Sequence, residues 1–232
     1  MDDQRRPPVL AHQRFAASRQ SFKGLSLKER FERIHATNLW GASESVSGLG
    51  SEPDAIVSLR SELSALLKEL DARSLLDAPC GDASWIHGMG LDLAYHGVDI
   101  VPDLVAGLQQ RSEAGELPGI YRLADLTCDD LPRCDVILCR DCLVHLSFAH
   151  IERAVSNMAR SGATWLITTT FTDWNDNTDC EDGDWRALNL QAAPFFWPRP
   201  EALINEDCRE GHGGWADKSL GLWRLRDLPI AD

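Results

Sequence analysis

The sequence contains no apolar run approaching the ~20 residues that cross a bilayer, so no membrane-spanning helix is expected. It also lacks a complete set of zinc ligands. Seven cysteines stand at 80, 128, 134, 139, 142, 180 and 208, and they include one CxxC pair, Cys139 and Cys142. Neither a second pair nor spaced histidines accompany it, which excludes the usual structural zinc arrangement. A redox pair stays open, and reduced, partly buried thiols are the plainer reading. The opening "MDDQRRPPVLAHQRF" has no apolar signal core, and its Asp2 and Asp3 are unlike an Arg-rich transit peptide. A cytoplasmic protein is the expectation. Positive charge is scarce overall: 23 Lys and Arg face 36 Asp and Glu, a formal net charge of −13. That balance disfavours DNA as a partner. Residues 1–36 reverse it, with eight basic residues against four acidic ones. Such a leader either touches RNA or an anionic surface, or forms a solvated arm.

What remains is a chain of 232 residues, 44% hydrophobic, enough for one domain with a sizeable core. Residues 1–25 show no sustained period. Ser26 to Thr37 reads as a helix, opened by a Ser26/Glu29 capping box and carrying Leu27, Phe31 and Ile34 on one face. A Gly/Ser-rich loop follows, then an amphipathic helix over 54–70. From there short apolar strands alternate with helices: "SLLDAP", "AYHGVDI", "GIYRLADL", "CDVILCR" and "ATWLITTTF" alternate with the helical stretches "SWIHGMG", "PDLVAGLQQRS" and "SFAHIERAVSNMARS". This alternation predicts parallel βαβ units covered on both faces. Residues 172–200 break it with an acidic, then aromatic and Pro-rich stretch. Two further strands, in "EALINEDC" and "SLGLWRLRDL", close the chain.

In an open parallel sheet, ligands bind beyond the carboxyl ends of the strands. Those positions hold Asp77, the turn Cys80–Asp82, Asp99, Asp125 and Cys139–Asp141. A chain does not need carboxylates there to fold, because each is costly near a core unless paired. The turn has only Gly81 as a glycine, so the three-glycine pyrophosphate site is disfavoured. Asp99 stands where an acid accepts the hydroxyls of a ribose, and Asp125 where one accepts from an exocyclic amine. Together they outline a nucleoside with a charged, phosphate-free tail, whose cationic end suits Asp77.

The succession "LLDAPCGDASW … YHGVDIVPDLV … LADLT … CDVILCRDCLVHLS … WLITTT" resembles class I S-adenosylmethionine-dependent methyltransferases of the small-molecule type. The resemblance covers residues 54–171 and, through the last two strands, most of the chain to 228. It implies an α/β fold: a Rossmann-like, doubly wound sheet, mostly parallel with an antiparallel C-terminal strand, helices on both faces and an N-terminal helical lid. The domain would occupy 54–232, with an acceptor-site insert at about 172–200 and an arm and lid at 1–53. It implies S-adenosyl-L-methionine as cofactor, met by Asp77, Pro79 and Gly81, by Asp99 and Ile100, by Asp125 and Leu126, and by Cys139 and Arg140 beside the methyl group. Trp40 would stack over the cofactor, with Ser47 or Gly48 at its carboxylate. The motif's usual first and third glycines are here Pro79 and Ala83, and the span from Asp125 to Arg133 is too short for the usual third crossover helix.

Methyl transfer to a hydroxyl needs donor and acceptor in line and a base for the proton. His145, just past the fourth strand, is the candidate base, with Asp141 orienting it or acting in its place. Trp185, Arg186, Asn189 and Trp197 of the insert are the expected acceptor-site residues. No metal is assigned, although the acid run from 173 to 184 raises the idea. The expected acceptor is a small polar metabolite, an oxygen of a sugar or related compound leading. The alternatives are an aminopropyl transferase using decarboxylated S-adenosylmethionine and a catalytically inactive nucleoside-binding protein. A homodimer is left open.

Overall fold

The protein is described by a computed structural model at residues 6–41, 57–84, 86 and 88–230. Seven strands form one sheet: β1 (Ser74–Asp77), β2 (Ala94–Asp99), β3 (Ile120–Leu123), β4 (Val136–Cys139), β5 (Trp165–Phe171), β6 (Ala202–Asn205) and β7 (Lys218–Arg224), in the order β3-β2-β1-β4-β5-β7-β6. Strands β1 to β5 pair in parallel, and β7 runs antiparallel to both β5 and β6. The expected mostly parallel sheet with an antiparallel C-terminal strand is what the chain forms.

The two-residue period of each strand sorts its side chains onto two faces. Leu75, Val136, Leu138 and Ile167 pack against α3 (Val57–Glu69) and α4 (Pro102–Glu113). Leu76, Ile137 and Leu166 pack against α5 (Phe148–Arg160). The strands carry little polar alternation because both faces are buried. Strand order reverses between β1 and β4, and at such a reversal a crevice opens beyond the carboxyl ends of the strands.

The N-terminal arm is more ordered than its sequence suggests. Residues Leu10–Ser18 form a helix, α1, followed by a 3₁₀ turn at Arg19–Phe22. Their stability is tertiary: Phe15 and Phe22 stack at 4.9 Å and are buried with Ile34 of α2 (Leu27–Ala36). The Ser26/Glu29 capping box of α2 is present in both directions. From Arg6 onward the leader packs on the body of the domain rather than standing free. Arg6 pairs with Asp217 and lies over the rings of Trp174 and Trp215, at 5.5 and 5.1 Å. Arg19 pairs with Glu181, and Arg30 reaches the Asp182 carbonyl at 3.1 Å. Arg19 and Arg30 of the basic arm thus face Glu181 of the acidic insert.

Within "SWIHGMG" the described residues form turns rather than a helix, and Gly88 and Gly90 sit at φ +81° and +59°. A loop does replace the third crossover helix. Asn157 of α5 pins it, donating to the carbonyls of Leu126 and Asp129 at 3.0 and 2.7 Å. The insert at 172–200 is irregular yet packed, with Leu188, Leu190 and Trp197 in the core. Two of its acids cap a helix: Asp179 accepts from the Phe148 N–H and Asp182 from the Ser147 N–H at the head of α5, both at 2.8 Å.

Candidate active site

A cavity of about 1000 Å³, its open mouth included, lies where the carboxyl ends of β1, β2 and β4 meet the underside of α2. At its β2 end stands Asp99, only 7% exposed. Its two oxygens each accept a backbone hydrogen bond, Oδ1 from Val101 at 3.0 Å and Oδ2 from Gly81 at 3.1 Å. Burial raises its pKa and these two N–H groups oppose the rise. The Gly81 bond ties the turn after β1 to the end of β2. Gly81 and Ala83 both sit at φ +55°, so the turn holds left-handed backbone even at the position where alanine replaces glycine. Ile100, Asp125 and Leu126 line the same end. Asp125 Oδ1 accepts from the Thr127 N–H and hydroxyl, at 2.8 and 2.7 Å.

Asp77 takes no part in the cavity wall. It is fully buried among the strand ends, with Oδ2 accepting from the Tyr95 hydroxyl at 2.8 Å and Oδ1 without a partner among the described residues. Desolvation pushes its pKa up to about 7, against the pull of the Tyr95 hydroxyl and the charge of Arg140. Cys139 is likewise fully buried and lies behind the wall. Pro79 and Arg140 do line the cavity.

Arg140 belongs to a charge network that the sequence did not disclose. Its Nε and Nη2 donate to Glu206 Oε2 at 3.1 and 2.5 Å. Lys218 Nζ lies 2.7 Å from Asp141 Oδ2 and 3.3 Å from Glu206 Oε2. Removal from water alone would raise the Asp141 pKa, but Lys218 and Arg140 outweigh it and hold the carboxyl below its usual range. Asp141 also receives the Thr169 hydroxyl at 3.4 Å. It is therefore a poor base, and it makes no hydrogen bond to His145.

His145 ends a 3₁₀ turn, Leu143–His145, at the far end of the cavity. Its Nδ1 lies 2.8 Å from the Asp184 carbonyl oxygen. A carbonyl only accepts, so Nδ1 carries the proton and Nε2 keeps the ring's lone pair. The orienting group is thus Asp184, not Asp141. Desolvation depresses the His145 pKa to about 4, so the ring is neutral at pH 7. Trp40 stacks on it, with ring centroids 4.3 Å apart and a tilt of 24°.

The insert residues expected at the acceptor site hold this machinery from behind. Arg186 donates to the carbonyls of Leu143, Leu146 and Thr178 at 2.7, 2.5 and 3.1 Å, clamping the turn that bears His145. Asn189 donates to the carbonyls of Thr172 and Trp174 at 3.3 and 2.8 Å. Trp197 packs edge-on to Trp223 at 5.2 Å, and Trp185 to Trp215 at 4.9 Å. None of the four lines the cavity. A polar or aromatic side chain in a long segment looks available in sequence, but here backbone carbonyls and core neighbours use each one. Leu27, Phe31, Ile34 and His35 of α2 do line it and were missed. Their signal was the apolar face of the Ser26–Thr37 helix, whose packing partner the sequence does not name. Ser47 and Gly48 lie outside the described residues. Among the described residues no cluster of three His, Cys, Asp or Glu could hold a metal ion, and no helix is long and apolar enough to cross a membrane.

No family model and no curated protein sequence matches the chain. Solved structures do. The methyltransferase domain of bacterial CtHen1-C aligns over 72% of this chain and 96% of its own length, with a TM-score of 0.53 and 14% identity. Human N-acetylserotonin methyltransferase, in complex with S-adenosylmethionine, aligns over 92% of this chain at a TM-score of 0.51 and 13% identity; the match spans 59% of the human chain. The N-methyltransferase NodS from Bradyrhizobium japonicum WM9 aligns over 72% of this chain and 97% of its own, with a TM-score of 0.50 and 13% identity. The fold is therefore the Rossmann-like fold of class I S-adenosylmethionine-dependent methyltransferases.

Proposed function

We propose that this chain is an S-adenosylmethionine-dependent methyltransferase acting on a small-molecule acceptor. The observation that carries the reading is the pairing, in one cavity, of a backbone-anchored carboxylate at the end of β2 with a neutral histidine of fixed tautomer past β4. The residues present suit the cofactor. Asp99 would accept the ribose hydroxyls, and Ile100, Asp125 and Leu126 would flank the adenine. The backbone around Pro79 and Gly81 would meet the methionyl tail, and Arg140 would stand at the methyl end. When bound, the sulfonium supplies an already activated methyl group. The protein's own part is to keep the cleft dry, to hold the acceptor in line and to take its proton at Nε2 of His145. Trp40 belongs to the acceptor end in this reading, because one face of its indole is taken by His145.

Calorimetric titration with S-adenosylmethionine and S-adenosylhomocysteine tests it, with NAD and decarboxylated S-adenosylmethionine as controls. Wild type is expected to bind the first two, and Asp99→Ala to weaken both by about tenfold or more, the loss expected for hydrogen bonds to a charged group. No binding of either by a folded sample would overturn the assignment.

A further inference from the structure

Helix α2 roofs the cavity, and two observations fix its direction there. Its first half packs toward the α5 face of the sheet, with Leu27 and Phe31 against that core cluster. Its last turn lies toward the end of β2, where the charge of the His35 imidazole acts on the Asp99 carboxyl and favours its ionised form. Leu27, Phe31, Ile34 and His35 all line the cavity. Their spacing of i, i+4, i+7 and i+8 puts them on one face of the helix. The roof is therefore apolar at three residues and polar at one, and the polar one stands at the Asp99 end.

The other polar side chains of the cavity are engaged by the protein itself. Asp125 is met by Thr127, Arg140 by Glu206, Asp141 by Lys218 and His145 by the Asp184 carbonyl. The His35 ring makes no hydrogen bond among the described residues, while its backbone carbonyl takes the Asn38 N–H at 3.1 Å. Folding does not call for an imidazole here, since a fourth apolar residue would continue the face. Asp99 supplies the complement. Each of its oxygens accepts one backbone N–H, and a carboxylate offers about four such sites, so room is left for hydroxyl donors. A ribose diol that gives its protons to Asp99 turns its remaining lone pairs away from that carboxylate, toward the roof.

Resting on the methyltransferase reading, we propose that His35 is a cofactor-binding residue, donating a ring N–H to a ribose hydroxyl that Asp99 holds from the other side. The ribose is then gripped between a strand end and the lid. The contact exists only while α2 is seated, so it couples cofactor binding to the position of the helix. It also adds a second reader of the ribose hydroxyls, on an element remote in sequence from β2.

The test is calorimetric titration with S-adenosylhomocysteine and its 2′-deoxy and 3′-deoxy analogues, on wild type, His35→Leu, His35→Ala and His35→Gln, with thermal melts of each. His35→Leu and His35→Ala remove the donor with and without its bulk. Both should bind S-adenosylhomocysteine about five- to tenfold more weakly, the effect of one hydrogen bond. His35→Gln keeps an N–H and should recover part of the loss. One of the two analogues lacks the hydroxyl that His35 meets, and it should bind wild type and His35→Leu alike. Equal weakening for S-adenosylhomocysteine and both analogues would place His35 elsewhere on the cofactor or in a structural role, and would overturn this proposal alone. Undiminished binding by both donor-free variants would do the same. Absence of S-adenosylhomocysteine binding by folded wild type would overturn the methyltransferase reading and this proposal with it.

Discussion

Trp40 and His145, brought together from the arm and from the turn after β4, stack with ring centroids 4.3 Å apart. The contact joins the N-terminal lid to the candidate base. It also seals one face of the imidazole from water, which is part of why burial depresses its pKa. The other constraint on that ring comes from the insert, through the Asp184 carbonyl. Lid, strand end and insert therefore meet at one side chain.

The first prediction concerns His145. His145→Ala should lower kcat by about 10²–10⁴-fold, the usual contribution of a positioned base, with little change in cofactor affinity. The acid limb of kcat/KM should lie near pH 4, below the ordinary histidine range. Because the folded-state pKa is depressed, the folded protein binds fewer protons than the unfolded one between about pH 4 and 6.5. Stability should fall as pH drops through that window, and His145→Phe should flatten this slope in thermal melts. A limb at the ordinary histidine value would show that burial does not depress the His145 pKa.

A second prediction follows from Asp77. Its folded-state pKa is raised from 3.8 to about 7. The stabilising contribution of its protonated form is thus fully present below about pH 4 and is lost as pH rises through 7. Asp77→Asn keeps an acceptor for the Tyr95 hydroxyl and cannot ionise. The Tm difference between variant and wild type should move in the variant's favour from pH 4 to pH 8. A difference independent of pH would place the charge elsewhere.

Glu206 gives the third. It is 4% exposed and neutralises both Arg140 and Lys218. Glu206→Ala leaves excess buried positive charge and should cost about 3–5 kcal/mol, read by denaturant unfolding. Replacing the group as a whole, with Arg140, Lys218, Glu206 and Asp141 all made apolar, should cost less than that single change.

The fourth concerns Arg186, which holds the His145 turn without touching the cavity. Arg186→Lys cannot reproduce the fork across three carbonyls and should destabilise the fold by about 1–3 kcal/mol. Because the residue positions rather than reacts, kcat should fall more than affinity for cofactor. The pH profile should shift as the turn loosens around His145.

Much of this was legible beforehand for a physical reason. Buried parallel strands need continuous apolar runs, and a carboxylate at the end of such a run has no reason to be there unless something uses it. That pattern singles out Asp99 and Asp125, and both line the cavity. Asp77 obeys the same pattern, but its side chain points among the strand ends and is fully buried. Which way a terminal side chain turns depends on the neighbouring strands. Arg186, Asn189 and Trp197 were misplaced for a related reason: residue type says that a side chain needs a partner, not whether that partner is a ligand or the protein's own backbone.

Short-range chemistry, then, was set by the sequence: the strand periods, the α2 capping box, the acids after β2 and β3, and the histidine after β4. These depend on neighbours a few residues apart, which a sequence displays directly. The tertiary structure alone decided what long-range packing decides. It set the Nδ1–H tautomer of His145 through Asp184, spent Asp141 on Lys218, and roofed the cavity with the apolar face of α2. Among the described residues it also left the Trp40 N–H without a partner. Each of these depends on groups far apart in the chain meeting in space, and no local pattern encodes that meeting.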